Sequence, residues 1–296
     1  MVQIQNPKSK IQNSISPLVC RTRTFDFAHG PLVMGILNVT PDSFSDAGMY
    51  PDARAAVARG LELAAQGADI IDVGGESSRP GARPVTLEHE LERVLPVIRR
   101  LAAQTDTPLS IDTTKAEVAR QALAAGAQMI NDISALRFDA DMAFVVAATG
   151  APVVLMHMRG TPETMQQDTR YADLLAELSV FFHERILFAR SAGIAAEKII
   201  IDPGIGFGKA LEDNFAIIKN LHALTALGRP VLVGPSRKAC IGRVTGRQAA
   251  ERDPGTAGAV AVAVYNGAHI LRVHNPAMMR DAALVAAAIC SAGQQD

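Results

Sequence analysis

The sequence predicts an α/β fold, a single-domain TIM (β/α)8 barrel, and three observations carry that prediction. A short apolar run ending on a polar residue recurs eight times along the chain. Each run is followed by a stretch that reads as a helix. Several runs are preceded by Gly-Ala, as in Gly67-Ala68-Asp69-Ile70-Ile71-Asp72, Gly126-Ala127-Gln128-Met129-Ile130-Asn131 and Gly267-Ala268-His269-Ile270-Leu271-Arg272. Glycine suits the left-handed residue that ends a helix, and an unbroken apolar run suits a strand buried on both faces. Eight such units in roughly 250 residues match a TIM barrel. A doubly wound sheet would want a glycine-rich fingerprint after its first strand, and Asn38-Val39-Thr40-Pro41 stands there instead.

In chain order, Met1 to Ser16 is rich in Gln, Asn, Ser and Lys, and residues 1–17 are expected to form a mobile tail. Leu18 to Phe27 alternates loosely and is expected to form a hairpin closing the bottom of the barrel. The predicted strands are Leu32–Asn38, Ala68–Gly74, Leu109–Asp112, Gln128–Asp132, Pro152–His157, Ile199–Asp202, Val231–Gly234 and His269–His274. The clearest helix runs from Leu87 to Leu101. Its apolar stripe is Leu87, Leu91, Val94, Leu95, Ile98 and Leu101, and Pro96 is expected to kink it. No linker divides the chain, so residues 18–296 are read as one domain.

Composition narrows the function classes. With 29 basic and 30 acidic residues and 4% aromatic content, the chain offers neither a field nor stacking platforms for nucleic acid. Cys20, Cys240 and Cys290 stand far apart without metal-type spacing, which suits ordinary thiols in a reducing compartment. The amino-terminal segment lacks the apolar core of a signal peptide. The uncharged stretch Pro254 to Leu271 is broken by Asn266-Gly267 and His269. A soluble, cytoplasmic protein is expected.

In such barrels the chemistry sits at the carboxyl ends of the strands. Those ends read Asn38, Asp72, Asp112, Asn131-Asp132, His157, Asp202, Ser236-Arg237-Lys238 and Arg272-x-His274. Asp, Asn and Ser are also ordinary turn formers and helix caps, but this many in one mouth points to a ligand site. Lys238 opens a helix, the wrong end of the dipole for a cation, which favours a functional role. A cationic side from the last two strands faces acidic residues from the third and sixth. That suits a substrate with one anionic end and one end rich in hydrogen-bond donors. Thr40 to Asp46 and Glu76 to Ala82 carry hydroxyls, charges and turn formers, as closing loops do. Asp202-Pro203-Gly204-Ile205-Gly206-Phe207-Gly208-Lys209 fails the phosphate-loop pattern; its glycines are expected to let the backbone approach a flat ligand.

Met34-Gly35-Ile36-Leu37-Asn38-Val39-Thr40-Pro41-Asp42-Ser43-Phe44-Ser45 resembles the first signature of the dihydropteroate synthases, a family of pterin-binding barrels. Asp72-Val73-Gly74-Gly75-Glu76-Ser77-Ser78-Arg79-Pro80-Gly81 is similar to the second. Ser110 to Thr113, Asn131 to Ile133, Met156 to Gly160, Asp202 to Lys209, Ser236 to Lys238 and Arg272 to His274 continue in that family's order, from about Leu18 to the carboxyl terminus. The resemblance implies a transferase joining 6-hydroxymethyl-7,8-dihydropterin diphosphate to 4-aminobenzoate, with Mg²⁺ and release of pyrophosphate. It assigns Asp112, Asn131, Asp202 and Lys238 to the pterin. Asn38 goes to Mg²⁺, Ser78, Arg272 and His274 to the diphosphate, and Ser236 and Arg237 to the loop that receives the aminobenzoate. Asp112, Asp202, Lys238, Arg272 and His274 form the implied catalytic set, and a homodimer is implied as well. The chain departs from the family pattern at Ala47, Ser78, Pro235 and Asn275. A pterin-binding methyltransferase and a non-catalytic pterin-binding paralogue remain as alternatives.

Overall fold

The computed structural model describes residues 15–40 and 53–293. Most of the expected tail, and the loop after the first barrel strand beyond Thr40, lie outside the described residues. A two-stranded antiparallel hairpin, β1 (Leu18–Val19) and β2 (Thr24–Phe25), precedes the barrel. The barrel strands are β3 (Leu32–Asn38), β4 (Ile70–Gly74), β5 (Leu109–Asp112), β6 (Met129–Asp132), β7 (Val153–Met156), β8 (Ile199–Asp202), β9 (Leu232–Val233) and β10 (Ile270–Val273). All eight predicted strands are present.

They pair in parallel in the order β8-β7-β6-β5-β4-β3-β10-β9. A parallel bridge between Ile201 and Val231 joins the two ends and closes the barrel. Strand β9 is the shortest, because Pro230 and Pro235 flank it and neither has an N–H to extend the ladder. The carbonyl of Pro230 still accepts from the Ile201 amide at 3.0 Å.

The outer ring comprises α1 (Ala53–Ala65), α2 (Leu87–Ala102), α3 (Ala116–Ala125), α4 (Met142–Thr149), α5 (Leu174–Ser191), α6 (Leu211–Lys219), α7 (His222–Thr225), α8 (Ala239–Thr245), α9 (Asp253–Tyr265) and α10 (Pro276–Ser291). Helix α2 shows why such segments are helical. The Thr86 hydroxyl caps its first turn, acidic Glu88 and Glu90 sit at the start, and Arg99 and Arg100 sit at the end, all matching the helix dipole. The helix continues through Pro96.

Alternation along the strands sorts the core. Outward residues such as Ile71, Val73, Ile111, Val153 and Ile199 pack under helices α1 to α4. Ile201, Val233, Leu271 and Val273 pack under α5, α6, α9 and α10. Inward residues Met34, Ile70, Met129, Val154, Ile200, Leu232 and Ile270 form an apolar floor. Leu18, Cys20, Phe25 and Phe27 of the hairpin segment join that floor, which is the closure the sequence predicts. Ile15 is buried there too, so the amino-terminal segment is already anchored at that point.

Candidate active site

Two residues further along several strands, the inward side chains change character. Ile70 is followed inward by Asp72, Met129 by Asn131, Ile200 by Asp202 and Ile270 by Arg272; Ser110 is followed by Asp112. A strand rises about 3.3 Å per residue, so this polar layer lies one pleat above the floor, at the carboxyl mouth.

Asp72 is the hub of the layer. It is fully buried, and its Oδ2 accepts from Asn131 Nδ2 at 2.9 Å and from Arg272 Nε at 2.6 Å. Arg272 Nη2 donates to Asp112 Oδ2 at 2.6 Å. The two carboxylates hold the guanidinium charged, well above the usual arginine range, although burial opposes it. Burial pushes the Asp112 carboxyl up to about 7, against the pull of Arg272 and with help from Asp72, Glu90 and Asp132. Asp202 is pushed up to about 6 by burial, while the Gly204 amide, donating to its Oδ1 at 2.7 Å, and Lys238 pull it down. Asn131 spends its amide N–H on Asp72, which leaves its carbonyl oxygen as an acceptor.

Lys238 stands at the start of α8 with its ammonium 4.2 Å from the centre of the Phe207 ring. Burial, then Arg272, push its amine down to about 8. Ser236 and His274 are brought together. The His274 backbone N–H donates to Ser236 Oγ at 3.1 Å, and that hydroxyl lies 2.9 Å from His274 Nδ1. The Ser236 hydroxyl and the His274 imidazole therefore form one hydrogen-bonded pair at the end of the last two strands. Burial and the cations Arg237, Arg272 and Lys238 push the imidazole down to about 3, so His274 is neutral rather than a cation.

Arg237 turns away from this cluster. Its backbone is left-handed at φ 57°, and its guanidinium forks onto Asp253 at 2.7 and 2.9 Å. Asn275 donates to the same carboxylate at 3.2 Å and caps α10 through Met278 N at 3.3 Å. An Asp at position 275 could cap the helix but could not donate to Asp253, so the departure from the family pattern has a use here. Ser78 is half-buried in the loop after β4. The Gly81 amide donates to the Pro162 carbonyl at 3.1 Å and ties this loop across the mouth.

The chain matches the pterin-binding enzyme family over residues 34–274. It is 47% identical to a dihydropteroate synthase of Synechocystis, over 92% of this chain and 95% of that one. A solved Xanthomonas albilineans dihydropteroate synthase with 4-aminobenzoic acid is 50% identical, with a TM-score of 0.86 over 92% of this chain and 97% of that one. Another from that organism, in complex with 7,8-dihydropteroate, is 46% identical, with a TM-score of 0.83 over 93% and 98% of the two chains. The chain belongs to the dihydropteroate synthase family.

Three features of this family member were not legible as site residues. Asp72 reads as one strand-end carboxylate among several; only the register Ile70–Asp72 signals that it faces inward. Lys209 and His157 form a buried pair, with Nζ 3.0 Å from Nδ1, beneath the glycine-rich turn. Lys115 Nζ bridges Glu76 and Glu90 at 2.6 Å each, and nothing in their spacing foretells it. The glycines of that turn also serve another end than expected. Gly204, Gly206 and Gly208 all have positive φ, and a Cβ on Gly204 would stand 2.1 Å from the His157 carbonyl oxygen. Their freedom is used against neighbouring protein.

Among the described residues no group of three or more His, Cys, Asp or Glu is arranged to hold a metal. Asn38 ends β3, in register with Gly74, and is half-buried at the mouth. One amide oxygen fits a hard cation that takes its other ligands from phosphate and water, as Mg²⁺ does. The donor set therefore fits an ion that arrives with a diphosphate.

Proposed function

We propose that this chain is a dihydropteroate synthase, condensing 6-hydroxymethyl-7,8-dihydropterin diphosphate with 4-aminobenzoate to give 7,8-dihydropteroate and pyrophosphate. The observation that supports this most is the inward polar layer of Asp72, Asp112, Asn131, Asp202 and Arg272 above an apolar floor, in a family member at this identity. An aminopyrimidinone edge is rich in N–H donors, and Asp112, Asp202 and the Asn131 carbonyl are acceptors that suit it. Lys238 donates to the acceptor atoms of the same ring system.

Bond making joins the aminobenzoate nitrogen to the pterin methylene carbon, and the carbon–oxygen bond to diphosphate breaks. His274, Ser78 and the donors of Arg272 not used on Asp72 and Asp112 hold the departing anion. Asn38 would hold Mg²⁺ together with the diphosphate, and the ion would supply charge neutralisation for the leaving group. The electron-rich pterin favours loss of diphosphate ahead of amine attack. Ser236 and Arg237 shape the loop that receives the aminobenzoate, with Arg237 fixed in place by Asp253.

Residues 18–296 act as one domain, and two copies form the working unit. Exposed apolar side chains of Val262 on α9 and Met278, Leu284, Val285 and Ile289 on the adjacent α10 support a homodimer through those helices. No helix among the described residues is long and apolar enough to cross a membrane, and Cys20, Cys240 and Cys290 are not joined in disulfides. Both facts suit a cytoplasmic enzyme. A pyrophosphate-release assay with both substrates tests the activity. Release that depends on aminobenzoate is expected; pterin binding without release would instead mark a non-catalytic binder, and methyl transfer a related methyltransferase.

A further inference from the structure

Lys209 is almost fully buried beneath the mouth, at 4% exposure. Its ammonium meets three acceptors: the Phe207 carbonyl at 2.9 Å, His157 Nδ1 at 3.0 Å and the His157 carbonyl at 3.4 Å. An ammonium has three N–H donors, so this cage offers each an acceptor and sustains the charged form against burial, which pushes the amine down to about 7. It also requires His157 to be neutral with Nδ1 bare. Burial and the cations Lys209, Arg137 and Arg159 keep the ring neutral by pushing that imidazole down to about 2.

The two carbonyls under Lys209 belong to the chain that shapes the site. The His157 amide donates to the Asp202 carbonyl at 2.9 Å. Gly204 passes so close to the His157 carbonyl that no side chain fits between them. The Gly204 amide in turn holds the Asp202 carboxylate at 2.7 Å, and the Phe207 amide returns to the Gly204 carbonyl at 3.0 Å. The Phe207 ring then lies under the Lys238 ammonium at 4.2 Å, within cation–π range. One buried cation thus ties the end of β7 to the turn that presents both Asp202 and the seat of Lys238.

We propose that Lys209, caged by His157 and the Phe207 carbonyl, is a positioning residue that sets the Asp202 carboxylate and, through the Phe207 ring, the Lys238 ammonium for binding the pterin. This inference rests on the pterin reading of the site. Lys209 touches no substrate in this account and acts through the turn above it. The charged groups around the pair are Lys238 and Arg272 on Asp202, and Asp202, Asp213, Lys238 and Arg159 on Lys209. Removing the Lys209 charge takes an attractive neighbour from Asp202, so the Asp202 carboxyl moves to higher pH.

The test is calorimetric titration of a pterin lacking its diphosphate into the full chain between about pH 5 and pH 9, the span in which these groups titrate. Lys209→Met is expected to weaken binding about ten- to a hundredfold, as loss of charge-assisted hydrogen bonds does, and to move the acidic limb to higher pH. His157→Asn keeps a carbonyl acceptor for Lys209 and is expected to retain most of the affinity, whereas His157→Leu, of greater apolar volume but without an acceptor, loses it. Equal losses in the two His157 variants, or wild-type affinity and limb position in Lys209→Met, would overturn the proposal. Should Lys209→Met fail to fold, Phe207→Leu decides, since it removes only the ring; unchanged pterin affinity there overturns the proposal. A wild-type chain that binds no pterin overturns the functional reading instead, which separates the two failures.

Discussion

Asp112 and Arg272 are in contact, and the state of Asp112 is set by burial against the pull of that guanidinium. Burial raises the Asp112 carboxyl to about 7, above its ordinary value near 4. The folded chain therefore holds that proton more tightly than the unfolded one. This contributes stability below about pH 4 that is lost as pH rises through about 7. Pterin binding has the opposite sign, because the carboxylate is the form that accepts N–H donors. Affinity for a pterin without diphosphate is expected to rise as Asp202 and Asp112 ionise at about 6 and about 7, and to fall once Lys238 deprotonates near 8. Calorimetry across that range reads both limbs, and a flat profile would remove these groups from the pterin site. Asp112→Asn is expected to weaken pterin binding about ten- to a hundredfold, because an amide supplies one acceptor oxygen where a carboxylate supplies two. Arg272→Ala leaves Asp72 buried without its cation, a change that costs about 3 kcal/mol or more. Denaturant unfolding of that variant is expected to show a clearly lower midpoint, and its pterin affinity falls together with its diphosphate affinity. Retained pterin affinity with diphosphate binding lost would return Arg272 to the diphosphate alone.

Strands and hairpin divide the labour between stability and chemistry by height within the barrel. The lower inward layer, with Leu18 and Phe25 packed into it, is purely structural, while the layer one pleat higher holds the polar groups. Leu18 is fully buried in that floor. Leu18→Ala is expected to destabilise the chain by about 2–5 kcal/mol, the usual cost of emptying such a position. KM for both substrates is expected to stay within about twofold, because no substrate contact is touched. Chemical denaturation beside steady-state kinetics checks it, and a large KM change would show that floor and mouth are coupled. The loops above the strands were less legible. Arg237, expected in the loop that receives the aminobenzoate, commits its guanidinium to Asp253, sixteen residues onward. That partner could not be read from local spacing.

Among the described residues, α9 and α10 carry a broad apolar face. Val285 and Ile289 are 62% and 60% exposed, one helical turn apart, and Met278 lies on the same side. A charge placed there meets water in a monomer but is desolvated across an interface. Val285→Glu is therefore expected to shift sedimentation from dimer to monomer at micromolar chain while leaving the monomer folded by circular dichroism. An unchanged dimer would move the interface elsewhere, and a wild-type monomer would end the homodimer proposal.

Read by itself, the sequence determined the number and order of the βα units, because an apolar run closed by Gly-Ala on one side and a polar residue on the other is a local signal. It also determined that Asp112, Asn131, Asp202, Lys238 and His274 stand at one end of the barrel, since every parallel strand ends at the same mouth. Which side chains touch was decided only by closure. Arg272 and Asp72 are 200 residues apart in the chain and meet at 2.6 Å because β10 and β4 both flank β3. Lys209 and His157, 52 residues apart, meet because β7 and β8 are neighbours. Inside and outside are likewise a tertiary choice. A strand buried on both faces carries apolar residues at every position, so its pattern does not mark the inward side, and the ring of eight strands selects it.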